Sequence, residues 1–157
     1  MSKTKVYPVE TDLRKLRQVS QEVNLGDVSL INAIENKMLS VFRELDGKMQ
    51  GLSAIQVGYA YRAILLRYNK GDTPVVVYNP VVLCGFGNKN SNEGCLSEGN
   101  ERYIVKRPLL IKVRFYTKYR EEVIEWLPYK KARIFMHEIN HLNGVLLQDI
   151  GVKVEKR

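Results

Sequence analysis

Histidine is almost missing from this chain: there are two among 157 residues. Cysteine is equally scarce, with Cys84 and Cys95 alone, and tryptophan occurs once. A Cys84–Cys95 bridge is the one pairing on offer, and nothing else in the chain suggests an oxidising compartment. No apolar run approaches the ~18 residues of a membrane-spanning helix. The start, Met1-Ser2-Lys3-Thr4-Lys5-Val6, lacks a hydrophobic signal core, so export is not expected. Linkers, internal repeats and low-complexity stretches are also absent. One domain over residues 1–157, ending in a short basic tail (Val152 to Arg157), is therefore the expected organisation. Apolar residues make up 45% of the chain, enough for a real core. Acidic groups are the minority, 17 against 25 Lys and Arg, for a formal charge of +8. That excess bears on non-specific association and not on fold. Nine tyrosines are present without any RNP-like pattern, so sequence-specific nucleic-acid binding is not expected.

The two histidines fall in one string, His137-Glu138-Ile139-Asn140-His141. Four residues along a helix advance about 6 Å and nearly complete one turn. Both imidazoles then leave the same face, close enough to share a metal ion. Glu138 lies beside them, placed to move a proton on or off a polarised water. The plainer alternative is a surface helix carrying these groups by chance.

A metal needs at least a third protein ligand. In the most compact peptidase variant of this motif the third ligand follows a glycine. Here Gly144 occupies the glycine slot, but the ligand slot is Leu147, which has no donor atom. Asp149 and Glu155 are out of register. The third ligand is expected upstream, and it cannot be a histidine. Cys84 follows Val81-Val82-Leu83 and reads as a small buried strand residue. Cys95 sits in Asn92-Glu93-Gly94-Cys95-Leu96-Ser97, which reads as a polar loop. It could complete a Cys-His-His set with one position open, the catalytic pattern, or be a spare loop thiol.

Secondary structure follows from periodicity. Leu30, Ile31, Ile34, Met38, Val41 and Phe42 have helical spacing, so an amphipathic helix is predicted from an Asp27 N-cap to Asp46-Gly47. Residues 63–66 and 75–78 are strand-like, with a turn at Asn69-Lys70-Gly71-Asp72 between them. Residues 110–117 alternate apolar and basic, and 123–127 read as the hairpin mate. Pro128 ends that strand ahead of the helix bearing the histidines, whose apolar face is Ala132, Phe135, Met136, Ile139 and Leu142. The fold class expected is α+β, with mostly antiparallel strands packed around a central helix carrying the H-E-x-x-H string.

Three motifs in order resemble the peptide deformylase family. Gly51-Leu52-Ser53-Ala54-Ile55-Gln56-Val57-Gly58 is similar to its G-L-A-A-x-Q-V-G. Glu93-Gly94-Cys95-Leu96-Ser97 matches its E-G-C-L-S. His137 to Gly144 resembles its H-E-x-D-H-L-x-G. The likeness runs from about Val6 to Gly151. It implies the same fold and a metal-dependent hydrolase that removes the formyl group from nascent formyl-methionyl peptides. It implies Cys95, His137 and His141 as ligands of one divalent ion, Fe(II) in cells, with Zn(II), Ni(II) or Co(II) able to replace it. Glu138 becomes the proton carrier. Gln56 and the Leu96 N–H become donors to the oxyanion. Gly51, Glu93 and Ile134 fall at the substrate. Glu93 is matched with Arg102 as an ion pair bracing the cysteine loop, and Asn140 supports the ligands through hydrogen bonds.

Departures from the family pattern are informative. Asn140 replaces an aspartate, removing a charge near the ligands. Ser53 replaces alanine. Gln50, Lys130 and Arg133 stand where an apolar methionine pocket would be lined. Two alternatives have different chemistry: a small metallopeptidase of other specificity, and a non-catalytic ribosome-binding relative. The basic surface suits ribosomal RNA near the peptide exit. The expected compartment is the cytoplasm, or a host cytoplasm or organelle for a viral or organellar source.

Overall fold

The computed structural model describes residues 9–45 and 48–155. The chain runs through α1 (Leu13–Leu16), α2 (Val28–Glu44), β1 (Gly51–Ser53), a 3-10 turn (Ala54–Val57), β2 (Ala63–Leu66) and β3 (Val75–Phe86). It continues through β4 (Lys89–Gly94), a second 3-10 turn (Leu96–Glu98), β5 (Arg102–Arg107), β6 (Leu110–Tyr116) and β7 (Glu122–Pro128). It closes with α3 (Tyr129–Leu142), α4 (Leu147–Ile150) and β8 (Val152–Lys153). Five strands form one antiparallel sheet in the order β1-β2-β3-β6-β7. Three form a second in the order β4-β5-β8, also antiparallel. The α+β architecture agrees with the sequence reading.

Helix α2 starts where a cap is available: the Asp27 carboxylate accepts the Leu30 N–H, satisfying a donor that the first turn leaves open. Its stripe of Ile31, Ile34, Met38, Val41 and Phe42 buries against Leu52, Ala63, Leu65, Val76 and Tyr78. The expected helix end at Asp46-Gly47 lies outside the described residues, as do Lys156 and Arg157 of the basic tail. Helix α3 covers the same sheet elsewhere. Its Ala132, Phe135, Ile139 and Leu142 pack with Ile64, Ile111, Val113 and Leu127. No helix among the described residues is long and apolar enough to cross a membrane.

Two local readings need correction. Strand β3 extends to Phe86, and Cys84 on it is only half-buried, in a far half of the strand where Val81, Leu83 and Phe86 are exposed. The segment before Cys95 is a strand and not a loop. Its polar residues are paired in register with β5, from Lys89 opposite Arg107 to Gly94 opposite Arg102. Ser91 and Glu93 turn inward despite their polarity, so apolar alternation carries no signal there.

Candidate metal centre

Helix α3 presents His137, Glu138 and His141 toward the hinge between β4 and the second 3-10 turn, where Cys95 sits. One ligand atom from each of Cys95, His137 and His141 lies within 4.8 Å of the others. Cys95 Sγ is 3.4 Å from His141 Nε2. The two imidazole rings meet edge-on, with centroids 5.2 Å apart. Cys95, Glu138 and His141 are buried, and His137 is 15% exposed, so the group opens to solvent on one side.

The surroundings fix these side chains. Glu93 Oε1 lies 2.8 Å from His137 Nδ1, which directs the other ring nitrogen away from Glu93. Burial alone would push the Glu93 carboxyl up. Hydrogen bonds from Arg107 and His137 overcome it and hold the carboxyl well below the usual range. The Arg107 guanidinium grips Glu93 in a fork, with two contacts of 2.8 Å, and donates to Asn140 Oδ1 at 2.6 Å. Asn140 thus reaches His137 through Arg107 and Glu93. Burial lowers His141 to about 3, so its ring is neutral, as a ligand must be. Burial also raises Glu138 to about 7.

The arginine that pairs with Glu93 is Arg107 and not Arg102, the one that the family resemblance implies. Strand parity explains the error. On β5, Val105 and Arg107 point inward with Glu93, while Arg102, opposite Gly94, points to the other face. Arg102 instead donates to Asn92, at 2.7 Å to Oδ1 and 2.9 Å to the carbonyl. Glu93 also has both carboxylate oxygens committed to Arg107 and His137, so it braces the site and has no free oxygen for a substrate.

Gln56 is buried in the 3-10 turn after β1. Its Oε1 accepts from the Ser53 N–H at 3.0 Å and the Ser53 hydroxyl at 2.9 Å. Its amide nitrogen must then face the centre, where it lies 3.0 Å from Ser97 Oγ and 3.6 Å from Cys95 Sγ. Sequence marks Ser53 only as a departure from the family's alanine and Ser97 only as the end of the cysteine motif; the fold brings both onto one amide. Leu96 opens the second 3-10 turn directly after Cys95. Gly51 runs beside Glu138: a Cβ there would sit 2.7 Å from Glu138 Oε2, so only glycine lets the carboxylate lie along β1. A cleft of about 260 Å³ runs past Gly51, Glu138, His137 and Ile134.

The residues present suit a divalent cation. One thiol and two imidazoles are a borderline-soft donor set. Cys95, Glu93 and Glu138 together raise the His137 pKa well above its ordinary value despite burial, so the cage attracts positive charge. Glu138 Oε1 is buried with no hydrogen-bonding partner among the described residues. Such an orphan acceptor next to an open donor cluster implies a polar group that it would contact.

An α+β scaffold carrying this donor set beside a buried carboxylate defines a metal-dependent hydrolase class. Within that class the chain belongs to the polypeptide deformylase family, whose model matches residues 4–157. It is 35% identical over 134 residues to peptide deformylase 1 of Clostridium acetobutylicum, covering 85% of this chain and 86% of that protein. The crystal structure of the Thermotoga maritima peptide deformylase superposes with a TM-score of 0.81 at 33% identity, over 94% of this chain and 98% of that one. A Met-Ala-Ser-bound class I type b peptide deformylase of Acinetobacter baumannii gives 0.81 at 28% identity, over 94% and 99%.

Proposed function

We propose that the chain hydrolyses the N-formyl group from the formylmethionine of nascent polypeptides. The observation that carries the reading is the convergence of Cys95, His137 and His141 within 4.8 Å, beside a buried Glu138. The Met-Ala-Ser ligand of the Acinetobacter relative is the tripeptide that deformylation of formyl-Met-Ala-Ser would leave.

Cys95, His137 and His141 would hold one divalent ion, which when bound supplies Lewis acidity to water and to the formyl carbonyl. The remaining work falls to side chains. Glu138, with an uncommitted Oε1, takes the proton from the attacking water and passes it to the leaving amine. Gln56, its carbonyl end tied back by Ser53, aims N–H at the centre and stabilises the developing oxyanion, joined by the Leu96 N–H. Gly51, on edge strand β1, offers backbone to the peptide, and Ile134 lines the cleft. Asn140, Arg107 and Glu93 keep His137 oriented.

The ion in cells is Fe(II), with Zn(II), Ni(II) or Co(II) able to substitute, since thiolate and imidazole accept all four. The protein acts in the cytoplasm, or in that of a host or an organelle, and its basic surface draws it to the ribosome near the peptide exit. Protein purified without oxygen should deformylate formyl-Met-Ala-Ser and leave the acetyl analogue intact. Glu138→Ala should keep its metal and lose turnover by roughly 10²- to 10⁴-fold. Cys95→Ala should shed the ion. Cleavage confined to internal peptide bonds would overturn the reading.

A further inference from the structure

The cleft beside the centre has two carboxylates, and neither faces a substrate with free charge at its mouth. Glu93 is consumed by Arg107 and His137, and Glu138 lies 4% exposed against Gly51. The cations are placed differently. Lys48, Arg102 and Arg133 all line the cleft. None of the three forms an ion pair among the described residues.

The two guanidinium groups are also held in place, from two different elements. Arg102, on β5, is fixed by its two hydrogen bonds to Asn92 and lies across Gly94, where a Cβ would meet its Nη1 at 2.8 Å. Arg133, on α3, donates to Gln50 Oε1 at 3.4 Å, and Gln50 donates in turn to the Tyr68 carbonyl at 3.3 Å. A cation already positioned loses less side-chain freedom when an anion arrives than a free lysine does. Fixed charges of one sign around a cleft also focus the field and raise the local concentration of the opposite sign.

We infer that Lys48, Arg102 and Arg133 make this enzyme select formylated chains with acidic side chains in the first few residues after the methionine. The inference rests on the deformylase reading and adds a substrate class to it. Charge selection acts where the chain crosses the cleft mouth, away from the buried end beside Ile134. Three cations sharing one cleft should favour acidic over neutral substrates by about tenfold in kcat/KM at low salt, and disfavour basic ones. Screening should erase most of that preference at high ionic strength, because the Debye length falls to about 3 Å at 1 M.

The test compares formyl-Met-Asp-Glu, formyl-Met-Ala-Ser and formyl-Met-Lys-Lys on metal-loaded enzyme at low and high salt. Calorimetry with Met-Asp-Glu and Met-Lys-Lys reads the same preference without turnover. The expected result is a ratio favouring the acidic substrate that collapses with salt, and that also collapses in the Arg102→Gln/Arg133→Gln double variant. Because each ratio is taken within one protein sample, partial misfolding of the variant cancels. Efficient turnover of all three peptides at equal kcat/KM, or a preference that survives both salt and the double variant, would overturn the inference and leave the deformylase reading standing. Failure to deformylate any of them would remove that reading itself.

Discussion

Helices α2 and α3 each bury one face on the same sheet, and they do so with opposite chemistry. The buried residues of α2 are all apolar: Ile31, Ile34, Met38, Val41 and Phe42. Those of α3 include Glu138 and His141 beside Ala132, Ile134, Phe135, Ile139 and Leu142. An apolar face needs only shape and water exclusion to be stable. A polar buried face needs a partner for every group, because an unpaired one costs its full desolvation. Around α3, Glu93 of β4 meets His137, Arg107 of β5 donates to Asn140 and Cys95 meets His141, while Glu138 Oε1 and His141 Nδ1 have no partner among the described residues. The α3 side is therefore where single substitutions in distant strands should be felt most.

The largest expected effect tests that difference directly. Arg107→Ala leaves the buried Glu93 carboxylate with His137 as its one remaining partner among the described residues and should cost about 3–5 kcal/mol of unfolding free energy. Removing Glu93 as well should restore part of the loss, since no underpaired buried carboxylate remains. Denaturant titration of the single and double variants reads both, and a single-variant cost under about 1 kcal/mol would erase the distinction. On the α2 side, Ile34→Ala should cost about 2–5 kcal/mol, in proportion to the cavity it leaves. Its cost should add to that of Arg107→Ala, because Arg107 bonds Glu93 and Asn140 and shares no partner with the apolar cluster around Ile34.

Ser53→Ala is a finer probe. It leaves one of the two hydrogen bonds that hold the Gln56 carbonyl and should lower kcat about fivefold with metal content unchanged. An unaltered kcat would show that the backbone N–H alone orients the amide. The smallest effect lies outside both helices. Asp149 pairs with Arg17 across the surface, at 2.9 and 3.0 Å, and this hydrogen bonding holds its carboxyl below the ordinary value. A depressed carboxyl adds stability that is present above its unfolded value near 3.9 and is lost as pH falls through its folded value. Asp149→Asn should therefore flatten acid unfolding slightly below about pH 4, by well under 1 kcal/mol given the exposure of both partners.

The α2 side was readable residue by residue. Its stripe, its Asp27 cap and the β2–β3 pairing follow from spacing and turn residues, because burial there obeys apolar periodicity, and the β6–β7 hairpin beneath α3 follows in the same way. On the α3 side, the histidine string and the cysteine motif were legible as residue patterns. Their neighbours were less so. Arg102 and Arg107 are both arginines near the end of one strand, and only the register against Glu93 separates the one that turns inward. Cys84 was read as buried from its apolar neighbours, yet β3 carries it to a half-open end.

Sequence alone determined the helix that carries the histidines, the donor types available to a metal and the family to which they belong, because these depend on residue identity and short-range spacing. Tertiary structure decided which arginine braces Glu93, that Ser53 turns the Gln56 amide inward, and that three cations gather at one cleft. The reason is geometric. A side chain's partner is set by the face of the strand it occupies and by which strand lies alongside, and neither is written within a few residues of the group itself.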